Sequence, residues 1–160
     1  MNRILNGAVF DGKFIGDDSI ICANTVVMKD VEIDSNTIVG PLCILESGVK
    51  IGKNVTIQPH SLITRDMTVQ DNVFIGPHFT SANDRFIQDG EHGTSPNKKP
   101  FTAHKILIKK NTRIGSRCSI APGVTIGENC YIKMNCFIRS DVPDDMTIAA
   151  NSDYPIDYEL

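Results

Sequence analysis

The chain has 160 residues, 16 basic and 19 acidic, for a net charge of −3, with 41% hydrophobic and 22% charged side chains. That length sets one domain over residues 1–160, able to bury a core without staples, and the charge balance offers no general attraction for nucleic acid or an anionic membrane. No stretch nears the roughly 18 apolar residues of a membrane span, and MNRILNGAVFDGKFIGDDSI lacks the apolar run of an export signal, so a cytoplasmic location is expected.

From Val9 onward every sixth residue is aliphatic: Val9, Ile15, Ile21, Val27, Ile33, Val39, Leu45, Ile51, Ile57, Ile63, Val69 and Ile75. After an interruption the step resumes at Ile108, Ile114, Ile120, Ile126, Ile132 and Ile138. Four residues after each aliphatic stands a mostly small or apolar side chain, such as Ser19, Thr25, Val31, Thr37 and Cys43, with Lys13 and Met67 the rougher fits. Gly often follows the aliphatic directly, as in Ile51-Gly52 and Ile114-Gly115, and reads as a corner residue tolerant of positive φ. Each hexad is then one short strand and one corner, and three hexads close a triangular coil. Parallel pairing would stack coils about 4.8 Å apart, giving about six coils and a rod about 29 Å long. The expected class is all-β, a parallel β-helix; an antiparallel sandwich would alternate with period two and break at irregular turns.

Within this rod His60 and His78 lie one coil apart and should stack outside the same corner. Between Ile75 and Ile108 the period lapses in a stretch rich in Gly, Pro, Asn, Asp and Lys, so a loop is expected to leave the rod over about residues 81–107. Long loops of compact domains are commonly functional, and this one carries His92 and His104. The five cysteines are odd in number and lack paired C-x-x-C spacing, so they read as reduced core thiols and no metal site is expected. Residues 144–160, ending in the acidic NSDYPIDYEL, read as a cap over the last coil's open edge.

The hexads and Ile-Gly pairs of IGKNVTIQP and IGSRCSIAPGVTIGENC resemble those of the hexapeptide-repeat acyltransferases over nearly the whole chain. The resemblance implies a left-handed helix, against the usual right-handed crossover, and a homotrimer with active sites between subunits. NVFIGPHFTSAND, Asn72 to Asp84, resembles the N-V-F-I-G-P…T-N-D segment of nucleotide-linked amino-sugar N-acyltransferases, among them enzymes that acetylate the 3-amino group of UDP- or dTDP-linked dideoxy sugars. On that pattern Asn83 falls on the family's active-site asparagine and Asp84 on an acidic neighbour. KKNTRIGSRCSIAPGVTIGENC, Lys109 to Cys130, looks like the family's run along the acyl-coenzyme A groove. The implied reaction is acetyl transfer from acetyl-CoA to a sugar amine for surface glycan synthesis.

An amine attacking a thioester needs positioning and a polarised carbonyl more than a strong base. Asn83 would orient the amine, Asp84 would hold the sugar or accept a proton, and backbone N–H groups at corners would stabilise the oxyanion. Asn and Asp also favour turns on their own account. His92 and His104 are the other catalytic candidates, and His60, His78 and Arg85 are assigned to the substrate. Lys110 and Arg117 would neutralise phosphates, and Ala121, Met134 and Asn135 follow the donor groove by the resemblance. From Ile132 to Ile138 the chain departs from the family's I-G-A-G-S-V-V, because Lys133 and Met134 replace small residues and narrow that groove. The histidine set of the β-helical carbonic anhydrases is missing. Two rival readings stand: a sugar O-acetyltransferase using a loop histidine, and a non-catalytic scaffold.

Overall fold

The computed structural model describes residues 3–85 and 104–150. Among them every strand is two residues long, from β1 (Arg3–Ile4) to β21 (Thr147–Ile148), because the rest of each hexad is spent turning a corner. The strands form three parallel sheets of eight, seven and six members, beginning with Arg3–Ile4 (first sheet), Val9–Phe10 (second) and Phe14–Ile15 (third). Thr56 pairs with Phe74 and Ile57 with Ile75, eighteen residues on, so like positions lie over like. The fold is a left-handed parallel β-helix of about seven coils. No helix among the described residues is long and apolar enough to cross a membrane.

The inward side chains form three columns. Ile21, Val39, Ile57, Ile75, Ile114 and Ile132 line the first sheet, and matching files from Val27 to Ile138 and from Ile33 to Ile126 line the others; all are buried. Each fully buried aliphatic contributes about 1.5–3 kcal/mol, so the repeat is its own source of stability. Hydroxyls at the second inward position are buried at little cost, since the next coil satisfies them. Thr37 Oγ1 donates to the Gly52 carbonyl at 2.8 Å and accepts the Val55 amide at 3.1 Å, and Thr112 does the same with Gly127 and Cys130. No buried side-chain nitrogen or oxygen lacks a partner among the described residues.

Five expectations need correction. Val9 faces outward, 58% exposed, and Phe10 takes the inward place, because Phe10 pairs with Val27 at seventeen residues rather than eighteen. The first coil is one residue short. There are about seven coils and not six. At the N-terminal end Arg3–Ile4 adds a rung, and at the other end Val142 bridges Ile126 and Thr147–Ile148 pairs with Tyr131–Ile132, both at sixteen residues. The expected cap is therefore partly rod; residues 151–160 lie outside the described residues. The period also runs one hexad further than expected before the interruption: β14 (Thr80–Ser81) is a rung of the second sheet, with Ser81 inward and Phe79 fully buried. Ser81 escapes an aliphatic search because it is polar. Its Oγ lies 2.9 Å from Thr64 Oγ1, accepts the Thr64 amide and reaches the Leu62 carbonyl at 3.1 Å.

The last correction concerns the corners. The glycine after the aliphatic is not the positive-φ residue; that position comes two residues later and holds Asp18, Asn36, Asn54, Asn72, Asn111, Asn129 and Asp145 at the corner between the third and first sheets. Asn, Asp and Gly tolerate the left-handed region best. Five of these corner side chains also join into one file: Asn54 Nδ2 donates to Asn72 Oδ1 at 3.0 Å, Asn72 to Asn111 at 3.1 Å, Asn111 to Asn129 at 3.0 Å and Asn129 to Asp145 at 2.8 Å. The glycines serve stacking instead. A Cβ on Gly76 would stand 2.7 Å from the backbone of Gly115 and Ser116 in the next coil.

Two outcomes are expected. Leu42 holds φ 59° at 48% exposure, an unfavourable place for leucine. Leu42→Asn should therefore raise stability by about 1 kcal/mol, whereas Gly76→Ala should lower it by about 1–3 kcal/mol, both read from urea midpoints. Burial pushes the Cys136 thiol up from 9.0 to about 11. A thiol kept protonated by the fold contributes stability that is whole below its ordinary pKa and lost as pH rises through the raised one. The urea midpoint should thus fall between pH 9.0 and about 11, less steeply in Cys136→Ala; equal slopes would contradict the assignment.

Candidate functional site

The corner between the second and third sheets carries the excursion. Thr68 pairs with Leu107, thirty-nine residues away instead of eighteen, so twenty-one extra residues enter here without breaking the stack. The two ends of the excursion are pinched together. The His104 amide donates to the Asn83 carbonyl at 3.0 Å, and the Gly123 amide, in the coil beyond, donates to the His104 carbonyl at 3.2 Å. Ala82 N meets the Ile120 carbonyl at 3.0 Å, holding the departing chain on the second sheet. Asn83, Asp84 and His104 are half-buried and Arg85 is exposed.

Gly123 is the residue that sequence reasoning missed. It sits at φ 78°, and a Cβ there would lie 3.1 Å from Arg85 Nη2 and 3.5 Å from His104 Cβ. The Arg85 guanidinium thus rests on a corner made bare by glycine. The available signal was the position itself, because Gly123 stands where other corners carry Asn or Asp. Two coils earlier the same corner holds Asp66, whose predecessor Arg65 donates its amide to Glu46 Oε2 at 2.8 Å. Of the expected catalytic residues, Asn83, Asp84 and His104 therefore come together with Arg85 and Gly123, while His92 lies outside the described residues.

The remaining candidates stand on other corners. His60 and His78 share the corner between the first and second sheets, with ring centroids 4.9 Å apart and planes inclined by 6°. Such face-to-face rings cannot turn like nitrogens onto one ion with bonds of about 2.1 Å, and the described residues hold no group of three metal-ligating side chains. Arg117 and Asn135 continue the same column: the amides of His78, Arg117 and Asn135 donate to the Pro59, Pro77 and Ser116 carbonyls at 3.0, 2.9 and 2.9 Å. Met134, 61% exposed, precedes Asn135. Lys110 belongs to the third corner, where its ammonium is 3.4 Å from Glu128 and its amide meets Gln70 Oε1. Ala121 follows the second-sheet strand Ser119–Ile120, its amide donating to the Ile138 carbonyl at 2.8 Å. One copy therefore spreads the expected donor and acceptor residues over three edges of the prism.

The bacterial transferase hexapeptide model, of six repeats, matches residues 30–65 and 105–140. No curated protein sequence matches the chain. Among solved structures, AntD, an N-acyltransferase from Bacillus cereus in complex with dTDP and coenzyme A, aligns at 20% identity and TM-score 0.77 over 92% of this chain and 84% of that one. A hexapeptide-repeat acetyltransferase from Vibrio cholerae O1 biovar eltor, complexed with acetyl coenzyme A, aligns at 20% identity and TM-score 0.64 over 90% and 69%. The UDP-N-acetylglucosamine acyltransferase of Campylobacter jejuni aligns at 18% identity and TM-score 0.59 over 91% and 68%. The hexapeptide repeat is thus matched on both sides of the excursion, and the chain shares with these structures the left-handed parallel β-helix fold.

Proposed function

We propose that the chain is an N-acetyltransferase that moves an acetyl group from acetyl-CoA to the amine, at C3, of a UDP- or dTDP-linked dideoxy amino sugar, acting in the cytoplasm in surface glycan synthesis. The observation that carries this reading is the pinched corner, where Asn83, His104 and Gly123 are tied through successive backbone hydrogen bonds beneath the Arg85 guanidinium. The ligands of AntD, dTDP and coenzyme A, support the same substrate classes.

The chemistry assigned to the corner is modest and local. The sugar amine attacks the thioester carbon, a tetrahedral oxyanion forms, and the coenzyme's sulfur leaves as the amide closes. Asn83 holds the amine in line, a contribution of orientation. His104, backbone-anchored and half-buried, or Asp84 takes the proton that the amine sheds. Arg85 is placed to grip a diphosphate through its planar fork. A Cβ on Gly123 would stand 3.1 Å from Arg85 Nη2, so a side chain there would push the guanidinium away.

A homotrimer completes the site in this reading. The acceptor side lies at the loop corner, while His60, His78, Arg117, Met134 and Asn135 lie at another, across the width of the second sheet. A neighbouring copy would bring the one corner against the other. Outward residues of the second sheet support such packing: Val9 and Ile44 are exposed, and Ile38 and Leu42 lie exposed beside them.

The test is a set of dTDP- and UDP-linked 3-amino and 4-amino dideoxyhexoses incubated with acetyl-CoA, with products read by mass spectrometry. Release of coenzyme A with a base-stable acetyl amide is expected, from a 3-amino sugar. Asn83→Ala and His104→Ala should lower kcat by about 10²–10⁴-fold, typical of a lost positioned group. Gly123→Ala should raise KM for the sugar nucleotide by displacing Arg85. A base-labile ester would instead identify an O-acetyltransferase, and unchanged turnover in Asn83→Ala would remove the corner from the chemistry.

A further inference from the structure

Where the second sheet turns toward the third, one backbone bond recurs from coil to coil. The amide that follows each inward residue donates to the carbonyl of the inward residue one coil on: Met28 to Leu45, Glu46 to Ile63 and Ala82 to Ile120, at 2.9, 2.9 and 3.0 Å. At this edge, among the described residues, Thr64 alone departs from the rule. Its amide donates to Ser81 Oγ at 2.9 Å, in place of the Ser81 carbonyl. The register departs at the same point: Leu62 and Ile63 both pair with the coil before them, yet of the two only Leu62 pairs with the coil after, opposite Thr80.

Ser81 is 2% exposed and stands in a file that elsewhere holds Leu45, Ile63 and Ile120. Its single oxygen holds three groups of the preceding coil: the Thr64 amide, the Thr64 hydroxyl at 2.9 Å and the Leu62 carbonyl at 3.1 Å. The volume given up is recovered beside it. In neighbouring coils a small inward residue precedes a large one, as in Ser61 and Ile63 or Cys118 and Ile120, whereas Phe79 and Ser81, both buried, reverse that order and keep the core filled. On its other side the ladder is intact, since Ser81 pairs with Ile120 and the Ala82 amide meets the Ile120 carbonyl. The chain is thus released from the coil behind and kept on the coil ahead, two residues before Asn83.

We infer that Ser81 is a positioning residue for the loop corner: its side chain stands in for a backbone rung, which lets the chain turn outward at Ala82 and sets where the Asn83 carbonyl meets the His104 amide. The inference rests on the acetyl transfer proposed above, in which Asn83 and His104 act on the substrate and Ser81 touches none of it. A carbonyl rung at this point would draw the chain back along the coil. Misplacing a reacting group by about 1 Å costs up to about 100-fold in rate, so a hydroxyl buried beneath the corner can govern turnover without contact.

Two measurements on the full chain test this. In Ser81→Ala, kcat for acetyl transfer should fall by about 10-fold or more with KM for acetyl-CoA unchanged, and Ser81→Thr, which keeps the hydroxyl, should recover most of the loss. Amide hydrogen exchange, read without substrate, should show the His104 amide exchanging about 10-fold faster or more in Ser81→Ala, with the Ile108 and Ile120 amides unchanged. The double variant Phe79→Val, Ser81→Ile restores the ordinary inward order; it should melt no lower than the parent yet show the same losses, and it carries the test if Ser81→Ala misfolds. Full activity in that double variant would reduce Ser81 to a core residue and overturn the assignment. So would unchanged His104 exchange in Ser81→Ala, or unchanged kcat. If the parent chain transfers no acetyl group, the proposed reaction fails by itself, and the exchange of the His104 amide alone decides whether Ser81 sets the corner.

Discussion

Everything in this molecule follows from stacking in register. Parallel pairing places Ile57 under Ile75 and Thr56 under Phe74, and the same rule repeats from end to end. A side chain therefore mostly has its own kind of neighbour above and below, and the core is three files made up chiefly of aliphatics. The corners feel the same restraint through backbone contact, which is why Gly16, Gly40, Gly52, Gly76, Gly115 and Gly127 recur where a Cβ would strike the adjoining coil. A chain under this restraint can place irregular sequence only at a corner, pointing away from the prism. The excursion between Ser81 and Leu107 obeys that condition.

Periodicity made the architecture legible because the restraint acts on one residue in six. The pairing of His60 with His78 could be read from their spacing alone, and their rings do stack. Where the reading slipped, a physical reason is at hand. Val9 is aliphatic and fits the step, yet a coil shortened by one residue gives its place to Phe10. Ser81 breaks the step chemically but not spatially, since Thr64 and the Leu62 carbonyl satisfy its hydroxyl. The backbone angle was assigned to the wrong corner residue because glycine suggests positive φ, whereas here the Asn and Asp two residues later adopt it.

The site was less legible, for a related reason. Asn83 and His104 lie far apart in the chain and share no period, so nothing in the spacing announces that one amide meets the other's carbonyl. Gly123 looks like one more turn glycine until Arg85 is seen resting on it. The assigned donor residues were taken from a linear run, and linear runs wind around a prism: Lys110, Arg117 and Ala121, close in sequence, end on different edges. Residues eighteen apart are neighbours in space, while residues six apart face different directions.

The asparagine file has a further consequence. Its amides all point the same way, toward the carboxylate of Asp145, because reversing any one would set two donors or two acceptors against each other. The file also crosses the level of the excursion without notice, as Asn72 hands on to Asn111 much as Asn111 does to Asn129. One edge of the prism thus serves as a spine that is indifferent to what is grafted on another. Descendants of this chain could exchange the graft, and with it the molecule being modified, while inheriting the spine intact.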